Sequence, residues 1–349
     1  MEISISNRKI GDNKKVFVVA EMSANHQQRF SLAVKTIKAI KAAGADAVKI
    51  QTYTPDTITI DSKNKYFKIK QGTLWDGMTL YGLYKKAYTP WDWQPRLKKI
   101  AEDIGLVLFS SPFDKSAVDF LEKMDVPAYK VASFEITDIP LIEYIASKGK
   151  PVLISTGIAY YQDIKNAVNA CHRKGNKSLA LLKCTSSYPA LPEEMNLNTI
   201  PDMINKFGTV VGLSDHGLGI CAPLVSVALG ARIIEKHFIL SRKLGGPDAR
   251  FSLEPDEFKN MVEEIRNAEK SLGKAGYVLS RQCLKNRAFS RSLFVVRNIK
   301  KGEILNEENI RSIRPSNGLE PKYLKDVIGK MANKDLKRGT PLKRVYINS

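Results

Sequence analysis

Val211-Gly-Leu-Ser-Asp-His216 and Ile233-Ile-Glu-Lys-His237 are the two segments that decide how this chain folds. Each is a β-branched or leucine-rich run closed by a histidine, the pattern of a buried strand with a polar residue at its carboxyl end. Between them, 220–230 is amphipathic and long enough for one helix. Strand, helix, strand is a parallel unit, because parallel neighbours need a crossover rather than a tight turn. Two imidazoles at neighbouring parallel strand ends can converge on one point, as a divalent metal requires when its other positions stay open for substrate. The alternative is a pair of core or capping histidines.

Outward from this unit the same cycle repeats. Apolar runs stand at 16–20, 47–51, 106–110, 128–132, 151–155 and 179–183, besides 210–214 and 232–237. Stretches of helical spacing follow them at 31–43, 91–103, 116–124, 139–147, 161–174, 198–207, 220–230 and 257–272. Eight strands, each followed by a helix, predict an α/β fold of the (β/α)8 TIM-barrel type over residues 1–272. The runs lack polar alternation, as expected of parallel strands buried on both faces.

Two regions break the rhythm. Nearly 60 residues separate the start of the second strand from the start of the third. The excess, 53–93, carries Phe67, Trp75, Tyr81, Tyr84, Trp91 and Trp93, too aromatic for a disordered linker, so it is expected to form a lid or wall at the barrel mouth or to pack on a partner subunit. After 272 the βα alternation stops. Residues 273–289 read as a linker and 290–349 as a small second domain, with strands near Leu293 and Pro341 and a short helix at 321–327.

The chain has 349 residues, 43% hydrophobic, and a formal charge of +19. Beyond Gly273 there are 18 basic and 6 acidic residues, so +12 of that charge sits in the last part of the chain. The basic residues are dispersed, without interleaved aromatics or a nucleic-acid-binding motif, so no nucleic acid partner is expected and an anionic small molecule or a solvated surface accounts for the charge. No apolar run of about 18 residues appears, and 1–10 reads as polar, so neither a membrane span nor a signal peptide is expected and a cytoplasmic location is the default. Four cysteines without CxxC spacing are expected as free thiols, with Cys184 either a strand-end nucleophile or a small buried hydrophobe.

In such a barrel the chemistry sits where strands end. The first ends in Glu21-Met-Ser-Ala-Asn-His26, the second carries Lys49 and Gln51, and the third ends in Ser110-Ser111. The fourth holds Lys130, followed by Ser133 and Glu135, and the fifth ends in Ser155-Thr156-Gly157. The sixth presents Lys183, Thr185, Ser186 and Tyr188, and the last two supply Ser214, Asp215, His216, Glu235, Lys236 and His237. Two lysines within apolar strands, with hydroxyls at four strand ends, predict a phosphate or carboxylate site, because a buried ammonium without an anion is costly. An acid near the first strand, a two-histidine metal centre and an anion pocket together suit attack of a phosphorylated enol on an aldehyde.

These segments, in order, resemble the sialic acid synthase family, which condenses phosphoenolpyruvate with N-acylated hexosamines. The motifs are Ala20-Glu-Met-Ser-Ala-Asn-His26, Val48-Lys-Ile-Gln51, Tyr129-Lys-Val-Ala-Ser133, Ile154-Ser-Thr-Gly157, Gly212-Leu-Ser-Asp-His216, Glu235-Lys-His237 and Gly246-Pro-Asp248. The terminal module resembles the family's antifreeze-like SAF domain through Arg314-Pro-Ser-Asn-Gly318. Within the family, Leu74-Trp-Asp-Gly77, Ala87-Tyr-Thr-Pro-Trp91 and Ala249 after the aspartate are similar to the pseudaminic branch. That branch implies a 2,4-diacetamido-2,4,6-trideoxy-altrose acceptor, with N-acetylmannosamine or the corresponding mannose derivative as the alternative.

The resemblance implies roles as well. His216 and His237 would bind Mn2+ or Mg2+, with Co2+ a further option. Lys49, Lys130, Ser133, Ser155, Ser186 and Ser214 would surround phosphoenolpyruvate, with Ser111 where relatives carry threonine. Glu21, Gln51, Glu135, Tyr188 and Asp248 would face the sugar, with Glu21, and Glu135 beside it, the candidates to manage water and proton transfers. Arg314 would reach the barrel mouth of a second chain, which implies a domain-swapped homodimer.

Overall fold

Eight parallel strands close on themselves in chain order in the computed structural model, which describes residues 1–348. A hairpin, β1 (Glu2–Ile5) and β2 (Arg8–Gly11), precedes them. The barrel strands are β3 (Phe17–Glu21), β4 (Ala47–Thr52), β5 (Val107–Pro112), β6 (Tyr129–Val131), β7 (Val152–Ser155), β8 (Leu179–Cys184), β9 (Val210–Asp215) and β10 (Ile233–His237). Pairing of β10 with both β9 and β3 completes the ring. All eight runs expected from the sequence are strands, and the helices lie between them as their periodicity predicts, from Phe30–Ala42 to Pro255–Leu272.

Strand pleating sorts the side chains into two cores. Val18, Ala20, Val48, Ile50, Leu108 and Val131 point outward and pack beneath the helices. Phe17, Val19, Ala47, Phe109, Leu153, Leu182 and Ile233 point into the lumen and form a separate apolar layer. Gly212 belongs to this inner row, where an added Cβ would lie 2.4 Å from the Ile233 carbonyl oxygen. Ile3, Ile5 and Ile10 of the hairpin join the inner layer and close the barrel's amino-terminal end. The expectation that 1–10 is merely polar is corrected here: Ile3 and Ile5 alternate with polar neighbours, and that alternation is a strand signal.

The excursion after β4 is built rather than loose. It contains helices at Pro55–Ile58 and Leu80–Ala87 and 3-10 turns at Lys65–Phe67 and Trp91–Trp93.

The chain divides into two units, Met1–Gly273 and Lys274–Ser349. The stretch 273–289, expected as a linker, holds a helix at Arg281–Asn286 and a 3-10 turn at Arg287–Phe289. The second unit is organised by β11 (Ser292–Val295) and β12 (Ile310–Ile313), which pair antiparallel, with Phe294 bridged to Pro341. Leu293, Val295, Ile299, Leu305, Ile310 and Leu336 form its small core.

Candidate active site

Past the apolar inner layer, the same inward parity brings polar side chains into the lumen at the strands' carboxyl ends. Glu21 follows Phe17 and Val19, Lys49 and Gln51 follow Ala47, and Lys130 follows Ala128. Ser155, Cys184 and Ser214 continue β7, β8 and β9, and Glu235 and His237 continue β10. These side chains line one cavity of about 670 Å3, large enough for two small substrates. Ser133, Glu135, Ser186, Tyr188, His216 and Asp248 complete the predicted set within it. Lys183 and Lys236 have the opposite parity, and Lys236 donates to Asp215 and to the Gly217 carbonyl (2.7 Å).

Two sequence-predicted residues stand elsewhere. Ser111 is buried behind Lys49, whose Nζ lies 3.5 Å from its Oγ, and does not line the cavity. Arg314 lies in the second unit and is exposed there.

The two lumenal lysines differ in their neighbours. Lys49 Nζ is 2.9 Å from Glu21 Oε2 and 3.1 Å from Glu235 Oε1. Burial disfavours its charge, but the two carboxylates outweigh that and hold its pKa above the ordinary value. Ser214 Oγ donates to the same Glu235 oxygen (2.9 Å), and Gln51 Nε2 donates to Glu21 Oε1 (3.2 Å). Burial raises Glu21, against the pull of Lys49; it also opposes the charge on Glu235, but Lys49 and Lys130 prevail and lower that group. Lys130 donates only to Ser155 Oγ (2.7 Å) and the Val131 carbonyl (2.9 Å), and burial pulls its pKa down to about 8.

Two further hydroxyls line the cavity with that second ammonium. Ser133 and Ser186 share a hydrogen bond of 2.7 Å. Gly157 leaves room for this pair, since a Cβ there would lie 2.0 Å from Ser186 Oγ and force that hydroxyl to move. Glu135 lines the same cavity with Oε2 buried and without a hydrogen-bond partner among the described residues, and burial, against the pull of Lys130, pushes its pKa up to about 7.

The histidine rings lie 5.3 Å apart, centroid to centroid. His216 Nδ1 is 3.0 Å from the Thr185 carbonyl, which orients the ring and leaves Nε2 free as a ligand. His237 Nδ1 is buried without a hydrogen-bond partner and lies 3.9 Å from Asp248 Oδ2. Burial, then the neighbouring His216, keeps His237 neutral, the form a metal needs. His216 is drawn the other way: burial opposes its proton, but Cys184 Sγ at 3.7 Å and the Thr185 carbonyl favour it. Among the described residues no three His, Cys, Asp or Glu side chains converge as a metal site, so the donors that a divalent cation would find here are the two imidazoles, one of them with an orphaned nitrogen.

Glu235 stood among the polar strand ends read from the sequence but was given no role there; the structure shows it sharing the lumen with His237. Cys184 is buried, as the small-hydrophobe alternative expected, and it also borders the cavity. Tyr53 and Trp75 of the excursion expected as a lid or wall line the cavity, as does Phe113 beyond the third barrel strand, and none of the three was singled out as a site residue from the sequence.

Comparison with known proteins places this geometry. Residues 36–277 match the NeuB family and residues 290–344 match the SAF domain. A protein of Campylobacter jejuni named pseudaminic acid synthase is 48% identical over 332 residues, covering 95% of this chain and 96% of that one. Its Helicobacter pylori namesake is 46% identical over 326 residues, with 93% and 96% covered. Among solved structures, an N-acetylneuraminic acid synthetase from Leptospira borgpetersenii superposes with a TM-score of 0.73 at 32% identity, over 82% of this chain and 95% of that chain.

Proposed function

The chain belongs to the NeuB family, and from that premise we propose that it is a pseudaminic acid synthase: phosphoenolpyruvate, 2,4-diacetamido-2,4,6-trideoxy-altrose and water give pseudaminic acid and phosphate. The observation that carries the chemistry is the meeting, in one cavity, of the Lys130–Ser155 anion floor with the His216–His237 pair. C3 of the enol forms a bond to the aldehyde carbon, water adds at C2, and phosphate leaves with cleavage of its C2–O bond. Lys130, with Ser133, Ser155 and Ser186, neutralises and orients the phosphate. Lys49, shared between Glu21 and Glu235, fixes two carboxylates and Ser214 around the same ligand. Glu135 gains and loses a proton near neutrality and is placed to move one during water addition. Gln51, Tyr188 and Asp248 hold the sugar. A divalent cation on His216 and His237, Mn2+ or Mg2+, would supply polarisation of the aldehyde oxygen.

The assembly belongs to the same proposal. A homodimer in which Arg314 of one chain completes the barrel mouth of the other is supported by the exposure of Arg314 on its module. Exposed Phe134, Tyr160, Leu191 and Leu218 on loops after the strands offer apolar surface for a second chain to cover. No described helix is long and apolar enough to cross a membrane, and a cytoplasmic location fits a phosphoenolpyruvate-consuming enzyme. The test is phosphate release with the altrose derivative, N-acetylmannosamine and the diacetamido-trideoxy-mannose as separate acceptors. Turnover confined to N-acetylmannosamine would overturn the assignment.

A further inference from the structure

The cavity has a second face that the chemistry above leaves unused. Opposite in character to the charged strand ends, Ile58, Ile69, Leu80, Leu83 and Tyr84 of the excursion line it together with Phe113 beyond β5. Ile69 is 6% and Leu83 8% exposed, so this is an internal wall rather than a surface patch. Lys68, Gln71 and Thr73 of the same excursion also border the cavity, but they are exposed and stand at its solvent edge.

The wall is held in place. Asp76 accepts from the backbone N–H of Gln71 (3.2 Å), Gly72 (3.0 Å) and Thr73 (2.9 Å), which closes the turn of the strap. The Trp75 indole donates to the Pro247 carbonyl (3.1 Å), one residue before Asp248, and its ring lies 5.5 Å from that of Tyr188. Tyr53 packs edge-on against Tyr84 (5.5 Å) and Phe113 (5.1 Å). Trp75 thus ties an apolar strap to the segment that carries a sugar-facing carboxylate.

We propose that this wall determines acceptor specificity by reading the end of the sugar remote from its aldehyde. The inference rests on the function proposed above. The aldehyde carbon has to meet the enol beside the histidines and lysines, so the far end of the acceptor points away from them toward the strap. A C6 methyl loses water against Ile69 and Leu83, whereas a C6 hydroxymethyl would bury a hydroxyl where neither side chain offers a partner. An apolar pocket rejects an added hydroxyl by about 10- to 100-fold, which sets the size of the effect.

The test compares kcat/KM for the 6-deoxy acceptor and its 6-hydroxy counterpart in wild type, Leu83→Asn, Ile69→Asn and Trp75→Phe, with the KM for phosphoenolpyruvate as control. The expected result is a wild-type preference for the deoxy sugar of about 10- to 100-fold. That preference shrinks about tenfold in the two Asn variants and less in Trp75→Phe, while the phosphoenolpyruvate KM moves less than about twofold. An unchanged ratio in both Asn variants overturns the proposal. Should these fail to fold, saturation-transfer NMR on wild type decides it: the C6 methyl must receive saturation at least as strongly as the acetamido methyls, and a weak C6 signal sinks the idea. Absence of turnover with either altrose acceptor would instead show that the underlying function is wrong, and the specificity inference would fall with it.

Discussion

Lys130 Nζ donates to Ser155 Oγ at 2.7 Å and to a backbone carbonyl, while Lys49, two strands away, is clasped by two carboxylates. The first ammonium makes no ion pair with a carboxylate among the described residues, with Glu235 and Glu21 acting on it only at longer range, and on the function proposed above the substrate phosphate would be its partner. Lys130→Met should abolish phosphoenolpyruvate binding by calorimetry and still raise the stability of the free protein by about 1–3 kcal/mol. The pH dependence has a defined sign. With its pKa near 8 against an ordinary 10.5, the folded lysine sheds its proton first, so its burial penalty is present below pH 8 and relieved between 8 and 10.5. Melting curves across that window should rise more steeply for wild type than for the Met variant.

Glu135 titrates in the opposite sense. Its pKa, pushed up from 4.5 to about 7, means that the folded state holds a proton the unfolded state releases. The corresponding stability is complete below pH 4.5 and lost as pH rises through 7. Glu135→Gln should remove that slope from the stability profile and remove a limb near pH 7 from kcat, with kcat falling about 100-fold or more. A limb that survives the substitution would assign the proton transfer to another group.

Glu235 joins strands that sequence order keeps apart. It accepts from Ser214 on β9 and pairs with Lys49 on β4. Replacing it by Gln leaves Lys49 with one counter-ion, and should lower stability by about 1–3 kcal/mol and raise the phosphoenolpyruvate KM at least about tenfold. Isosteric geometry makes this a test of charge; an unchanged KM would mean that Glu235 does not position the anion site.

The histidine pair can be tested without turnover. Mn2+ added to wild type should bind with an affinity readable by electron paramagnetic resonance, and His216→Ala and His237→Ala should each weaken it at least about 100-fold. Equal Mn2+ binding in wild type and both variants would remove the metal from this pair.

Arg314 and Lys130 are expected to complement across chains. Arg314→Ala and Lys130→Met should each be inactive alone, yet co-expressed they should recover about a quarter of wild-type activity, because mixed dimers hold one intact site. No recovery, together with a monomer by light scattering, would place Arg314 outside the site.

Much of this was legible in the chain itself. The eight strands, their helices and the polar strand ends were readable because hydrophobic periodicity is a local property, set by residues a few positions apart. The hairpin's alternation was legible as strand, but its role was not, because Ile3, Ile5 and Ile10 plug a barrel that does not exist until all eight strands pair. The strap was legible as aromatic and as a lid or wall at the mouth, but which of its residues face the cavity was not, since Trp75 is placed by Pro247 and Tyr188, more than a hundred residues away.

By itself, then, the sequence determined the barrel and the chemical vocabulary at its mouth: lysines, hydroxyls, carboxylates and two histidines at strand ends. Only the tertiary structure decided which of Glu235, Lys236 and His237 share the lumen, and that Lys49 is neutralised where Lys130 is not. The physical reason is closure. The pleat gives each strand two faces, and joining β10 to β3 chooses the inner one and brings charges from distant segments within ion-pair reach.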